Sequence, residues 1–269
     1  MGDPLRIIVL IKQVPDIEKV KFDFKTGRLD RSSASAVINP FDLNALEAAV
    51  QIKEKMRAIV TAISMGPKNA EASLRDAIAR GADEAILLTD IRFAGADTLA
   101  TSYTLASAIR KLGSFDLIIC GEKTIDGDTA QVGPEVAEFL GIPHVAYVEE
   151  IREVNKDRMT VRSKMGESYY LIALSFPGLI TVTKDVNTPR LPTLRGKIRS
   201  RKSVITIWDA ESLSDVAEID RFGVSGSPTT IAKVYAPHTE KRGSLILKGD
   251  MEEAARRIVS VLKELKIVR

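Results

Sequence analysis

A chain of 269 residues with 45% apolar and 28% charged side chains can bury a large core and has the balance of an ordinary globular protein, not of a disordered or fibrous one. Lys and Arg total 39 against 36 acids, and the resulting +3 is too small to argue for a nucleic-acid partner. The lone cysteine, Cys120, excludes an intrachain disulfide framework and reads as a small core residue.

The first apolar run, LRIIVLI, is too short for a signal core or a membrane span and stops at Lys12, so no transmembrane segment and a cytoplasmic location are expected. The opening Met-Gly lacks the hydroxyl that N-myristoylation needs, because Arg6 stands there. Over the first 145 residues, strand and helix patterns alternate. Short apolar runs at Leu5–Ile11, Ile59–Ser64, Glu84–Leu88 and Phe115–Cys120 predict parallel strands covered on both faces. Between them, Phe41–Met56, Asn69–Ala79, Thr98–Lys111 and Val132–Leu140 predict helices, with Leu43, Leu46 and Val50 at helical spacing in the first. Asp97 suits an N-cap, Pro67 a first helical turn, and Gly81 and Gly113 helix ends. The succession implies an α/β fold, an open and mostly parallel sheet with helices on both faces and right-handed crossovers.

Near residue 150 the period changes. EEIREVNKDRMTVRSKMGESYYLIALSF alternates and predicts antiparallel hairpins turning at residues 155–157 and 164–167, in which Tyr147, Tyr169 and Tyr170 are expected to pack. Leu179–Val182 reads as one more buried strand. KDVNTPRLPTLRGKIRSRK then carries seven Lys or Arg and one acid, and Pro189 and Pro192 argue against regular structure. No aromatic residue interleaves with its cations, so base stacking finds no support there. Residues 221–249 read as an extended arm, and Met251–Leu265 as an amphipathic helix that packs on a partner chain or on the chain's own core.

Ligands of open α/β sheets bind beyond the carboxyl ends of the strands. Four segments occupy such ends: residues 10–16, 38–42, 64–67 and the long GEKTIDGDTAQVG of 121–133. In the last, main-chain N–H groups at a helix start can hold phosphate without a cation. The acids Glu122, Asp126 and Asp128 must then face elsewhere, as N-caps or toward sugar hydroxyls. Gly121, Gly127 and Gly133 provide flexibility, and Thr129 and Gln131 neutral hydrogen-bonding groups. Asn39, set extended by Pro40, is free to cap the next helix or to bind a ligand, and Ser64 and Gly66 let a planar ring approach. A plain turn with two capping acids explains Asp126-Gly127-Asp128 equally well. The spacing lacks the later oxygen ligands of a calcium loop, so no metal is expected, and neither GxGxxG nor a Walker sequence occurs. His144, read as a strand residue, and His238 stand apart from any Ser or Cys partner, so no catalytic residue is assigned.

The stretches INPFDLNALEAAVQIKE, SMGP, GEKTIDGDTAQVGPEVAEFLGIP, VNTPRLPTLRGKIRSRK and GVSGSPTTIAKVY, with the opening IIVLIKQVPD and the segment ARGADEAILL, together resemble the β subunit of an electron transfer flavoprotein over nearly the whole chain. The resemblance implies a nucleotide-α-hydrolase-like fold, an α-subunit partner in a heterodimer, and a C-terminal arm and helix that pack on that partner. It divides the chain into a nucleotide-binding domain, 1–190, and a recognition loop with the arm and helix, 191–269. Carried over by position, the cofactor contacts are Leu10, Asn39, Pro40, Phe41, Asp42, Met65, Gly121, Glu122, Lys123, Thr124, Ile125, Asp126, Gly127, Asp128, Thr129, Ala130, Gln131, Val132 and Gly133. Leu194, flanked by Arg195 and Lys197, falls where the family anchors dehydrogenase or quinone-reductase partners. KQVPD and the small residues Gly127, Thr129 and Ala130 are similar to the branch that holds FAD in the β crevice and bifurcates electrons from NADH. Structural AMP in the same crevice is the alternative. A stand-alone ATP-binding sensor or hydrolase on a related sheet is the rival of another class.

Overall fold

The apolar runs pair as parallel strands because each is buried on both faces, which leaves no room for a polar alternation. The computed structural model describes residues 3–16, 21–23, 28–30, 36–229 and 250–268. In chain order it contains β1 (Leu5–Leu10), β2 (Gln13–Pro15), β3 (Lys21–Asp23), β4 (Arg28–Asp30), β5 (Ala36–Ile38), α1 (Pro40–Lys55), β6 (Ala58–Met65), α2 (Glu71–Arg80), β7 (Glu84–Leu88) and α3 (Thr98–Leu112). There follow β8 (Leu117–Gly121), α4 (Val132–Leu140), β9 (His144–Val154), β10 (Arg158–Met165), β11 (Ser168–Ser175), β12 (Gly178–Val182), α5 (Leu194–Lys202), β13 (Thr206–Trp208) and α6 (Met251–Glu264).

Among the described residues, nine strands form one sheet in the order β11-β10-β9-β12-β8-β1-β6-β7-β13. The seven from β9 to β13 run parallel, and β10 and β11 add an antiparallel hairpin at one edge. Alternation along β1 sends Ile7 and Val9 to the face covered by α1 and α2. It sends Ile8 and Leu10 to the face covered by α3 and α4. An α/β sheet with helices on both faces, antiparallel hairpins and a terminal helix is therefore what the chain builds. The expected helix ends also hold: Gly81 and Gly113 close α2 and α3 with φ of 138° and 95°, and Asp97 caps α3 by accepting from Ala100 N–H at 3.0 Å.

Two expectations are corrected, and one strand is added to those expected. The basic segment is irregular only to Thr193; Leu194–Lys202 is a helix, α5. Pro192 precedes that helix, and the Thr193 hydroxyl caps it by accepting from Gly196 N–H at 3.0 Å. Two arginines then bind α5 to α2 through each other's C-terminal carbonyls. Arg199 donates to Ile78 and Ala82 at 2.7 Å each, and Arg75 to Ser200 at 2.6 Å. Gly196 permits the contact, since a Cβ there would lie 2.0 Å from the Ala79 carbonyl oxygen. Secondly, Tyr147, Tyr169 and Tyr170 are exposed and not packed; β11 is an edge strand, and Arg162 and Lys164 lie over the Tyr169 ring. The added strand is β13, which joins the far edge beside β7 and is too short for its alternation to register in sequence.

Residues 1–230 form one compact unit and 231–269 a second, so residues 191–229, grouped above with the arm, lie in the first. In the second unit, Asp250 caps α6 by accepting from Glu252 N–H. The arm expected over 221–249 lies outside the described residues from 230 onward. Among the described residues no helix is long and apolar enough to cross a membrane, and no cluster of His, Cys, Asp and Glu could hold a metal ion.

Residues 184–190, despite Pro189, are strapped onto α1 by polar side chains. Asn44 donates to the Asn187 carbonyl at 2.9 Å, and Asn187 returns a bond to the Asn44 carbonyl at 3.0 Å. Arg190 binds Glu47 at 2.7 Å and Glu54 at 2.5 Å. Burial alone would raise the Glu47 pKa, but the Arg190 hydrogen bonds outweigh it and hold the carboxyl below its ordinary range. A lowered folded-state pKa stabilises the fold above the unfolded value and loses that contribution as pH falls through the folded one. Arg190→Met should therefore cost about 2 kcal/mol at neutral pH by orphaning Glu47, and the difference from the parent should shrink as pH falls below the ordinary glutamate range. Urea unfolding at a series of pH values checks this; a cost independent of pH would refute it.

Candidate functional site

Strand order reverses between β1 and β8, because the chain runs from β1 through β6 to β7 and then returns to the other side of β1. Segments leaving β1 and β8 diverge at that point and open a crevice at the carboxyl edge. It receives the 10–16 segment from β1 and the 121–133 loop from β8, with the start of α1 between them.

The loops are stitched together by the first turn of α1. Asn39 makes no side-chain cap; it donates to the Lys123 carbonyl at 2.9 Å and accepts from Ile125 N–H at 3.2 Å. Asp42 accepts from Lys12 N–H at 2.8 Å and from Gly121 N–H at 3.2 Å. One carboxylate thus joins the ends of the two central strands. Both side chains are buried, so they scaffold the loops. Phe41 stands beside them, half-buried, with the Lys123 ammonium 5.9 Å from its ring centroid. Leu10 is buried at the end of β1, and Met65 is half-buried at the end of β6. Next to Met65, the Ser64 hydroxyl is buried without a hydrogen-bond partner among the described residues.

The acids of the long loop cap nothing, which corrects the expectation for Asp126 and Asp128. Asp126 pairs with Lys12 at 2.8 Å and Asp128 with Lys123 at 2.8 Å. Burial acts to raise the Asp126 pKa, but hydrogen bonds from Lys12 and Thr124 outweigh it and keep the carboxyl below the usual range. Glu122 is different: partial burial raises its pKa, with Asp185 and Asp128 adding to the rise. Of the residues holding this site, Lys12 is the one missing from the expected set. It lies 114 positions from Asp126, and only a cation directly after the first strand hinted at it.

Two of the three loop glycines serve close packing and not flexibility. A Cβ on Gly121 would meet Asp42 Oδ1 at 2.5 Å, and one on Gly133 would meet Thr181 Cγ2 at 2.6 Å. Gly127 is open, since its Cβ would touch only Thr124 Oγ1 at 3.5 Å. Asp128 and Ala130, neither of them glycine, take left-handed backbone with φ of 52° and 56°. Such conformations cost about 1–2 kcal/mol each and turn successive N–H groups toward one side, a geometry that suits an anion. Gln131 opens α4 without a side-chain cap, so no side chain takes up the first-turn main-chain N–H groups of Val132 and Gly133, while Pro134 contributes no donor.

Asp42 also titrates unusually. Burial pushes its pKa up to about 7, against the lowering effect of its bonds from Lys12 and Asn39. A folded-state pKa above the unfolded value makes stability fall as pH rises from about 4 to about 7. Asp42→Asn should abolish that slope in denaturant titrations between pH 4 and 8; an unchanged slope would show that another group carries it.

Comparison with known proteins agrees with this geometry. The electron transfer flavoprotein domain model matches residues 26–213. The chain is similar to the electron transfer flavoprotein subunit beta of Thermoanaerobacterium thermosaccharolyticum, 43% identical over 267 residues that cover 98% of this chain and 100% of that one. It is 41% identical over 265 residues to the caffeyl-CoA reductase-Etf complex subunit CarD of Acetobacterium woodii, covering 98% and 100%. Protein FixA of Bradyrhizobium diazoefficiens is 38% identical over 261 residues, covering 95% and 90%. With a matching domain over most of its length and full-length relatives, the chain belongs to the electron transfer flavoprotein family, in its β-subunit group.

Proposed function

We propose that the chain is the β subunit of a heterodimeric electron transfer flavoprotein and that its switch-point crevice holds FAD by the adenosine diphosphate part. The observation that carries this reading is the left-handed Asp128 and Ala130 backbone running into an uncapped helix. Strain of that kind persists where a ligand site is pre-organised. The residues present fit the group. Main chain from Asp126 to Gly133 would hold the diphosphate, and the open space at Gly127 leaves room for it. Leu10, Met65 and the small Ser64 and Gly66 would line the planar part, with Pro40 and Phe41 beside them. Gln131 and Thr129 offer neutral hydrogen-bonding groups.

Flavin supplies one- and two-electron redox chemistry when bound, and the protein supplies position and electrostatics. In this reading the heterodimer passes electrons between NADH or a dehydrogenase and the α-subunit flavin, by electron bifurcation. The similarity to a subunit of a caffeyl-CoA reductase-Etf complex supports work inside such a redox assembly. The outer side of α5 is the proposed docking surface for the dehydrogenase. Gly196 and Arg199 are committed to α2, while Leu191 and Leu194 are 82% and 76% exposed beside Arg195 and Lys197. An exposed leucine among cations anchors by burial and steers by charge.

Extraction of cofactors from the co-expressed heterodimer tests the reading: two flavins per pair are expected. One flavin plus AMP would replace it with the structural-AMP version, and a colourless monomer that hydrolyses ATP would overturn both. Gly127→Asp places charge and bulk where the diphosphate would lie, without a clash inside the chain. It should lower flavin occupancy of the β site about tenfold or more while thermal unfolding of the nucleotide-free protein stays put. Leu194→Ala should slow electron exchange with the partner dehydrogenase roughly tenfold and leave cofactor content intact; loss of flavin in that variant would give α5 another role.

A further inference from the structure

The loop proposed to receive an anion is itself anionic. Residues 121–133 contain Glu122, Asp126 and Asp128 and a single cation, Lys123, which is committed to Asp128 at 2.8 Å. Asp126 takes its cation from another part of the chain. Lys12, the second residue after β1, reaches it with Nζ at 2.9 Å from Oδ1 and 2.8 Å from Oδ2.

The backbone of Lys12 is held as firmly as its head group. Its N–H donates to Asp42 at 2.8 Å, and its carbonyl accepts from Asn39 N–H at 2.9 Å. The ammonium is thus delivered from a fixed point beside the strand-order reversal. Its side chain is 46% exposed and that of Asp126 is 34% exposed. A pair this accessible adds little to stability, so stability does not account for it. Its electrostatic consequence is larger: with Lys12 in place the charge of Asp126 is neutralised, and without it an uncompensated carboxylate, held only by neutral donors such as Thr124, stands in the same short loop as the strained main chain of Asp128 and Ala130.

We infer that Lys12 is a positioning residue for the anionic part of the nucleotide, acting through Asp126: it neutralises and engages that carboxylate, so that the loop's main-chain donors meet the anion unopposed. The inference rests on the nucleotide reading above. It differs from a direct lysine–phosphate contact in a measurable way, because removing Asp126 as well must repair the loss of Lys12.

The test is a double-mutant cycle on the full-length protein, purified with its co-expressed partner and stripped of bound nucleotide, with ADP as the probe in calorimetric titrations. Lys12→Met should weaken ADP binding about tenfold, the scale of one uncompensated charge at a surface-like dielectric. The loss should shrink as salt is raised, because exposed charges are screened. Lys12→Met combined with Asp126→Asn should return binding to within about threefold of the parent, and Lys12→Arg should retain it. Asp126→Asn alone, leaving Lys12 unpaired near the anion, should bind more tightly than the parent. Melting temperatures of the nucleotide-free proteins should coincide, which a merely structural role would not produce. Unchanged ADP binding in Lys12→Met overturns the inference, and so does a double variant as weak as Lys12→Met, which would mean that the ammonium touches the phosphate itself. Failure of the parent protein to bind ADP would overturn the nucleotide reading, and this inference with it; the protein that fails tells the two apart.

Discussion

Asn39 and Asp42, one helical turn apart, hold together loops that are more than eighty residues distant in sequence. Asn39 fixes the main chain at Lys123 and Ile125, and Asp42 joins Lys12 to Gly121. The crevice depends on these bonds because parallel strands that diverge at an order reversal have no ladder to connect their exits. Burying a carboxylate for this purpose is unfavourable unless its hydrogen bonds are made, and both N–H donors come from backbone that cannot rotate away. The helix therefore positions the site from its first turn and packs the core along the rest of its length.

Around that scaffold, charge is arranged to cancel locally. Lys12 answers Asp126, Lys123 answers Asp128, and Arg190 answers Glu47 and Glu54. The exposed pairs contribute little to stability; their effect is on which charges a ligand meets. The same principle applies on α5. Arg199 and Arg75 satisfy helix-end carbonyls across the α2–α5 contact, and the cations left over share the outer surface with Leu194.

Much of the parallel sheet was legible because burial on both faces writes itself as unbroken apolar runs such as IIVL and LIIC, and because Gly81, Gly113 and Asp97 act through their own backbone or the next turn. The tyrosines of the hairpins misled for a physical reason: alternation states which residues share a face, but not whether another layer packs on that face, and Tyr147, Tyr169 and Tyr170 stay exposed. The helix α5 was hidden by its prolines. Pro189 and Pro192 stand outside regular structure, but Pro192 lies before the Thr193 cap, where it does not interfere with the helix that follows.

Of the site, the sequence by itself determined the place and the material: a long glycine-marked loop after the fourth parallel strand, and an Asn-Pro start to the first long helix. Local chemistry suffices for that, since strand ends, turn residues and helix starts are properties of neighbouring residues. Only the tertiary structure decided the partners. That Asn39 holds a loop and does not cap its helix, that Asp126 belongs to Lys12, and that Gly121 is small for Asp42 all depend on strands β1 and β8 lying side by side. Ion pairs and close approaches between residues a hundred positions apart leave no periodicity in the chain; they exist because the sheet brings their strands to one edge.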